Sequence, residues 1–311
     1  MPNGWRRLAA LTALAGTALL AAGCSSSLAL EAVTANGTII AVGAESQYAD
    51  VIQQVGGKYV QASAIMSNPN TDPHTFEASA STGRLVNAAR LVVQNGLGYD
   101  TFMDTIEKAV PDSGRRVIVV QKLLGLPDST PNPHLWYDPA TMPRLAAAIA
   151  TELAALQPEH AAYFKANAAN FTTSLKAWTS AIATFRQQHP GTPVATTEPV
   201  ADYLLQALGA GNKTPWAFQA DVMNGTDPSA QDVAIERSLF TQRKVRAFVY
   251  NQQVTDSLTE SFIALARANG IPVVGVYETM PEPGYNYQSW MLAEVRALQK
   301  ALTSGVSSEH L

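Results

Sequence analysis

From Gly37 onward, short apolar runs alternate with segments whose apolar residues recur at i, i+3, i+4 and i+7, a rhythm that predicts strands and helices in turn. Ile39–Val42 reads as a strand. Tyr48, Val51, Ile52 and Val55 then share one helix face, which Gly56-Gly57 stops. Val60–Ile65, Leu91–Val93 and Val117–Val120 read as further strands, the last preceded by a helix carrying Tyr99, Phe102, Met103 and Ile106. Asp138-Pro139 reads as a helix start, and Leu145, Ile149, Leu153 and Leu156 line the helix that follows. Strands alternating with helices predict a parallel sheet covered on both faces.

The rhythm breaks at Pro158. Up to about Gln188 there is no Gly and no internal Pro, and Phe164, Phe171, Leu175, Trp178, Ile182 and Phe185 make one apolar stripe. This predicts a single helix of about 30 residues, roughly 45 Å long. A coiled-coil seam is the weaker reading, because the stripe spans few heptads and α/β patterns flank it. Past Pro190-Gly191 the alternation resumes. Val194–Thr196 is a strand, and Val200, Tyr203, Leu204 and Ala207 form a helix face. Trp216–Val222 reads as a strand, Asp227-Pro228 as the cap of a helix through Phe240, and Val245–Tyr250 as a strand. Leu258, Phe262 and Leu265 mark a helix stopped by Gly270, Pro272–Tyr277 is the last strand, and Trp290, Met291, Val295 and Leu298 place a final helix. The predicted fold is α/β: two lobes with mainly parallel sheets, bridged by one long rigid α-helix. The lobes occupy 37–157 and 190–311, with the linking helix at 158–189.

The first residues follow a different pattern. Arg6 and Arg7 precede an apolar run from Leu11 to Ala22, too short to span a bilayer, and small residues lead to Cys24, the only cysteine in 311 residues. The segment resembles a bacterial lipoprotein signal over 1–23, with Ala21 where Leu is commoner. It implies a lipid on Cys24, a tether over 24–36, and a protein held at the outer face of the cell membrane. Net charge is −4, and removing 1–23 with its two arginines makes it −6. No basic nucleic-acid footprint is present.

Five histidines carry the candidate chemistry. His160 and His189 lie near the ends of the long helix and His310 in the tail. The other two sit in short polar loops behind prolines: Asn70-Thr71-Asp72-Pro73-His74-Thr75-Phe76-Glu77 and Asn132-Pro133-His134-Leu135-Trp136-Tyr137-Asp138-Pro139. Loops at the carboxyl ends of parallel strands converge on a ligand crevice. Glu198 and Glu278 follow strands of the second lobe in the same way, although either alone reads better as an acid at a helix start. Two imidazoles and two carboxylates, two per lobe, would form an N2O2 site for a divalent first-row metal.

In these motifs the chain resembles the solute-binding lipoproteins of zinc and manganese ABC transporters, the cluster A-I metal-binding family. Asp72-Pro73-His74 with Glu77 is similar to the family's first ligand motif. Asn132 to Pro139 is similar to the second, usually D-P-H-x-W-x-D-P, with Asn132 in place of Asp. Pro228-Ser229 and Val245–Tyr250 resemble a later stretch, and the resemblance covers residues 37 to 302. It implies an ion buried between the lobes by His74, His134, Glu198 and Glu278. The third place is often His and the fourth usually Asp, and Glu282 is the alternative fourth ligand. The His-rich loop of many zinc-type members is absent.

The resemblance also implies a monomer that hands Mn2+ or Zn2+ to an ABC permease served by a separate ATPase subunit. The chain has no G-x-x-x-x-G-K-[ST] of its own. Two carboxylates lean toward manganese, although raw affinity at nitrogen and oxygen sites ranks zinc higher. A metal-dependent adhesin and a metallohydrolase using the same His/Glu cluster are the competing readings. The second is weakened by the absence of H-E-x-x-H and G-x-S-x-G. The chain is therefore read as a binding protein and not an enzyme.

Overall fold

The computed structural model describes residues 37–68, 76, 79–112, 114–281 and 284–311. Cys24, the tether, His74, Glu77 and Glu282 lie outside the described residues. The first lobe runs β1 (Ile39–Glu45), α1 (Ser46–Gly56), β2 (Val60–Met66), α2 (Ala80–Ala88), β3 (Leu91–Gln94), α3 (Thr101–Ala109), β4 (Arg116–Val119), α4 (Val120–Leu124) and α5 (Thr141–Leu156). Helices α6 (Ala161–Ser174) and α7 (Lys176–Gln188) lead to the second lobe. That lobe runs β5 (Pro193–Thr196), α8 (Asp202–Leu208), β6 (Gly211–Asn212), α9 (Trp216–Met223), α10 (Ala230–Thr241), β7 (Phe248–Asn251), α11 (Ser257–Ala268), β8 (Val273–Val276) and α12 (Tyr287–Ser304).

Each lobe holds a four-stranded parallel sheet, ordered β2-β1-β3-β4 in the first and β6-β5-β7-β8 in the second. Numbered within its own lobe, each reads 2-1-3-4. The chain leaves the first strand on one side and continues on the other, so the carboxyl ends of the first and third strands flank a topological switch point. In the first lobe these are the ends of β1 and β3, and in the second the ends of β5 and β7.

The sheet faces follow the period of two that strands impose. Ile39 and Ala41 of β1 enter the largest core, whereas Val42 and Ala44 pack with Val86, Val92, Met103 and Ile106 on the opposite face. The largest core runs through both lobes, and Trp136, Tyr137, Trp178, Tyr287 and Trp290 are all buried in it. A separate core, with Phe218, Phe240, Phe248 and Phe262, covers the other face of the second sheet.

The predicted linking helix is present as two segments abutting at Leu175. Thr172, Thr173 and Ser174 donate their hydroxyls to the carbonyls of Ala168, Ala169 and Phe171, and such back-bonding bends helices. The apolar stripe from Phe164 to Phe185 is nonetheless buried throughout, including Leu175 at the junction.

Residues 216–222, read as a strand, are helical instead. The buried residues of α9 are Phe218, Gln219, Val222 and Met223, a helical spacing, while Trp216 stays 42% exposed. Aromatic and Val content suggested a strand, but packing periodicity decided. Two helix starts also move. Ser229, not Asp227, caps α10, its Oγ accepting from Asp232 N–H at 3.1 Å. Helix α5 begins at Thr141, and Asp138 instead closes a local turn by accepting from Ala140 N–H at 2.9 Å.

Candidate metal centre

The loop carrying His134 is fixed by its own sequence. Asn132 Oδ1 accepts from His134 N–H at 3.0 Å and lies 2.7 Å from His134 Nδ1, while Asn132 Nδ2 donates to the Pro199 carbonyl at 2.8 Å. The backbone contact and the Pro199 contact together orient the amide, so Oδ1 is the acceptor and Nδ1 carries the imidazole proton. The lone pair therefore sits on Nε2, and Nε2 points at Glu278 Oε2 across 3.4 Å with both side chains fully shielded from water. Trp136 and Tyr99 wall the ring, at centroid distances of 5.4 and 5.8 Å. Helix α4 intervenes between β4 and this loop, so His134 is not in the turn directly after a strand, as the spacing suggested.

Glu198 follows β5 and Glu278 follows β8, both buried. Asn251, the last residue of β7, joins them. Its Nδ2 lies 3.2 Å from Glu198 Oε1 and 2.6 Å from Glu278 Oε1, while its Oδ1 accepts from Gln253 N–H at 3.0 Å. Glu278 is held on every side. Tyr99 OH donates to its Oε2 at 2.7 Å, Gln253 Oε1 accepts from its backbone N–H at 2.6 Å, and Gln47 Nε2 donates to its carbonyl at 3.1 Å. Burial, and after it the charge of Glu278, push the Tyr99 phenol well above its ordinary range, so it remains a donor.

Of the four predicted ligands, the structure brings together His134, Glu198 and Glu278, while His74 lies outside the described residues. Among the described residues no three such side chains enclose an ion by themselves. The donor set suits a divalent cation: an imidazole Nε2 facing a carboxylate oxygen at 3.4 Å in a dry setting favours positive charge between them. Sequence reasoning missed Asn251, although an Asn at the carboxyl end of a clear strand was the available signal. It also placed Tyr99 within a helix. Tyr99 instead precedes α3, and its hydroxyl reaches the second lobe.

A family model described as ZnuA, zinc-uptake complex component A periplasmic, matches residues 42–301. The manganese-binding lipoprotein MntA of Bacillus subtilis is 23% identical over 239 residues, covering 72% of this chain and 74% of its own. The periplasmic zinc-binding protein TroA of Treponema pallidum superposes with a TM-score of 0.69 at 20% identity, over 83% of this chain and 99% of that one. A Mn-bound periplasmic metal-binding protein from Candidatus Liberibacter asiaticus gives 0.70 at 16% identity, over 85% and 100%. The two structures share the fold described above.

Proposed function

This chain belongs to the ZnuA family of periplasmic zinc-uptake components, and on that premise we propose that it captures Mn2+, or Zn2+, with His74, His134, Glu198 and Glu278. The family consists of solute-binding proteins of metal-uptake ABC systems and not of enzymes, and it acts outside the cytoplasm. Manganese is favoured as cargo because two carboxylates and two imidazoles make a harder donor set than three imidazoles would. The relatives' names extend over both ions, manganese for MntA and zinc for TroA. Delivery is to a permease with its own ATPase subunit, and the chain is held at the membrane by a lipid on Cys24. The adhesin and hydrolase readings are not favoured, since the relatives that match in sequence carry metal-binding names.

The observation that carries the reading is the 3.4 Å approach of His134 Nε2 to Glu278 Oε2, buried and contributed by opposite lobes. The supporting residues do the positioning. Asn132 presents the Nε2 lone pair, Asn251 holds two carboxylates with one amide, and Tyr99 crosses between lobes to orient Glu278. An arriving ion exchanges its water for these donors and displaces any proton from the imidazole.

The test is elemental analysis of protein purified without added metal, followed by calorimetric titration with each ion. Wild type is expected to hold a divalent ion tightly. His134→Ala is expected to abolish tight binding of both ions while circular dichroism reports an intact fold. Unchanged affinities for both ions in that variant would refute the assignment.

A further inference from the structure

Glu45 ends β1, at the switch point of the first lobe. It is fully buried, and neither of its carboxyl oxygens has a hydrogen-bond partner among the described residues. The two residues after it are committed to the Glu278 loop. Ser46 Oγ accepts from Met280 N–H at 2.9 Å, and Gln47 Nε2 donates to the Glu278 carbonyl at 3.1 Å. The end of β1 is thus clamped against the turn that carries a proposed ligand.

The polar groups that feel Glu45 are Asp100, Tyr48 and Tyr99, and each is engaged elsewhere. Asp100 accepts from the backbone N–H of Asn95 and Gly96, at 2.5 and 3.0 Å. Tyr48 OH donates to Asn95 Oδ1 at 2.5 Å, and Tyr99 OH to Glu278 Oε2 at 2.7 Å. Burial first, and Asp100 second, push the Glu45 carboxyl well above the ordinary carboxylate range. Only its own backbone N–H opposes that rise, and a dry carboxyl offered no other donor among the described residues needs a proton or a cation.

We propose that Glu45 is a third carboxylate of the metal centre, facing the ion from the end of β1, and that it biases the cargo toward Mn2+ over Zn2+; this rests on the ligand assignment made above. Manganese accepts six oxygen-rich ligands, whereas zinc is satisfied by four donors and prefers nitrogen and sulfur. An added oxygen donor should therefore matter to manganese and little to zinc. None of the predicted ligand places included this residue, because it lies in the first strand and not in a loop with His.

The test uses the metal-free full chain, titrated calorimetrically with MnCl2 and ZnCl2 separately and in competition, with thermal unfolding measured alongside. Glu45→Gln is expected to weaken Mn2+ binding about 10- to 100-fold, the scale seen when a group supporting a metal site is removed. Zn2+ binding should fall at least about tenfold less. The metal-free variant should melt no lower than wild type, since an unpartnered buried acid has been removed. Glu45→Asp keeps the charge but withdraws it by one methylene, and it should shift the Mn2+/Zn2+ ratio in the same direction, which covers the case where Glu45→Gln does not fold. Unchanged affinities, or equal losses for both ions, overturn the proposal. The control is His134→Ala. If that variant binds both ions as wild type does, the whole centre is misplaced. If it loses binding while Glu45→Gln does not, only the role of Glu45 falls.

Discussion

Asn132 stands where the related motif usually has Asp, and replacing it two ways separates its two duties. In Asn132→Ala the imidazole loses the acceptor at 2.7 Å that keeps the proton on Nδ1, and the Pro199 carbonyl loses its donor at 2.8 Å. Partners that orient a metal-binding histidine are typically worth 10–100-fold in affinity, which is about 1.4–2.7 kcal/mol. Stability should also fall, by about 1–3 kcal/mol for each buried group left unpaired, here the Pro199 carbonyl and the His134 N–H. Asn132→Asp behaves differently. A carboxylate still accepts from Nδ1 and makes the imidazole a better ligand, but it cannot donate to Pro199 and sets two oxygens against each other. Its expected signature is Mn2+ affinity at or above wild type, with unfolding free energy lowered by about 1–3 kcal/mol. Calorimetry for affinity and urea titration of the metal-free protein for stability read the two separately. If Asn132→Asp loses as much affinity as Asn132→Ala, then Asn132 acts by tying the two lobes together and not by setting the imidazole tautomer.

Two further outcomes concern stability. Glu294 is buried, with Oε1 accepting from Tyr137 OH at 2.8 Å and Trp290 Nε1 at 2.6 Å, and burial pushes its carboxyl up to about 8. A raised carboxyl keeps its proton in the folded state, so its contribution is complete below about pH 4.5 and is lost as pH climbs toward 8, at up to about 1.4 kcal/mol per pH unit. Glu236, also raised to about 8 by burial, adds a loss of the same sign. Glu294→Gln should therefore be more stable than wild type at pH 8, and its urea midpoint should fall less between pH 5.5 and 8; an unchanged pH slope counts against this. Trp178, 1% exposed in α7, packs edge-on against Tyr287 at 5.8 Å. Trp178→Ala should cost about 3–5 kcal/mol by chemical denaturation, and a cost near 1 would mean that the linking helices contribute little to the shared core.

The alternation of strands and helices was legible because both sheets are parallel and buried, and such strands announce themselves as apolar runs. Strand β6 was not, since Gly211-Asn212 is too short to carry a pattern. The break at Leu175 was hidden for a related reason. It coincides with hydroxyl-to-carbonyl bonds of Thr172, Thr173 and Ser174, whereas the apolar stripe passes through it undisturbed. In the site, His134, Glu198 and Glu278 stood out because each sits in a short motif next to a strand or a Pro. Tyr99 and Gln47 did not, because their contribution exists only once the lobes meet, and Asn251 did not, because it acts only once β5, β7 and β8 lie side by side. Residues 47 and 278 share a hydrogen bond across 231 positions, a pairing that no local pattern encodes.

Those cross-lobe bonds bear on how tightly an ion can be held without a flexible hinge. Two of the proposed ligands are supported by the lobe that does not carry them. Glu278 is clamped by Tyr99 and Gln47 of the first lobe, and the His134 loop is pinned to Pro199 of the second through Asn132. Tyr277 N–H donates to Tyr137 OH at 3.3 Å, and Tyr287 OH to the Trp136 carbonyl at 2.6 Å, so the flanks of both loops cross over as well. Separating the lobes therefore strips the donors that orient the ligands, even if no ligand bond is broken first. Lobe contact and metal affinity are then two readings of one equilibrium. Any partner that prefers the lobes apart must weaken metal binding by the same factor by which metal weakens that partner's grip. On the proposed ligand assignment, the 3.4 Å approach of His134 Nε2 and Glu278 Oε2 puts that exchange at the boundary itself, where a small relative displacement would separate the two groups.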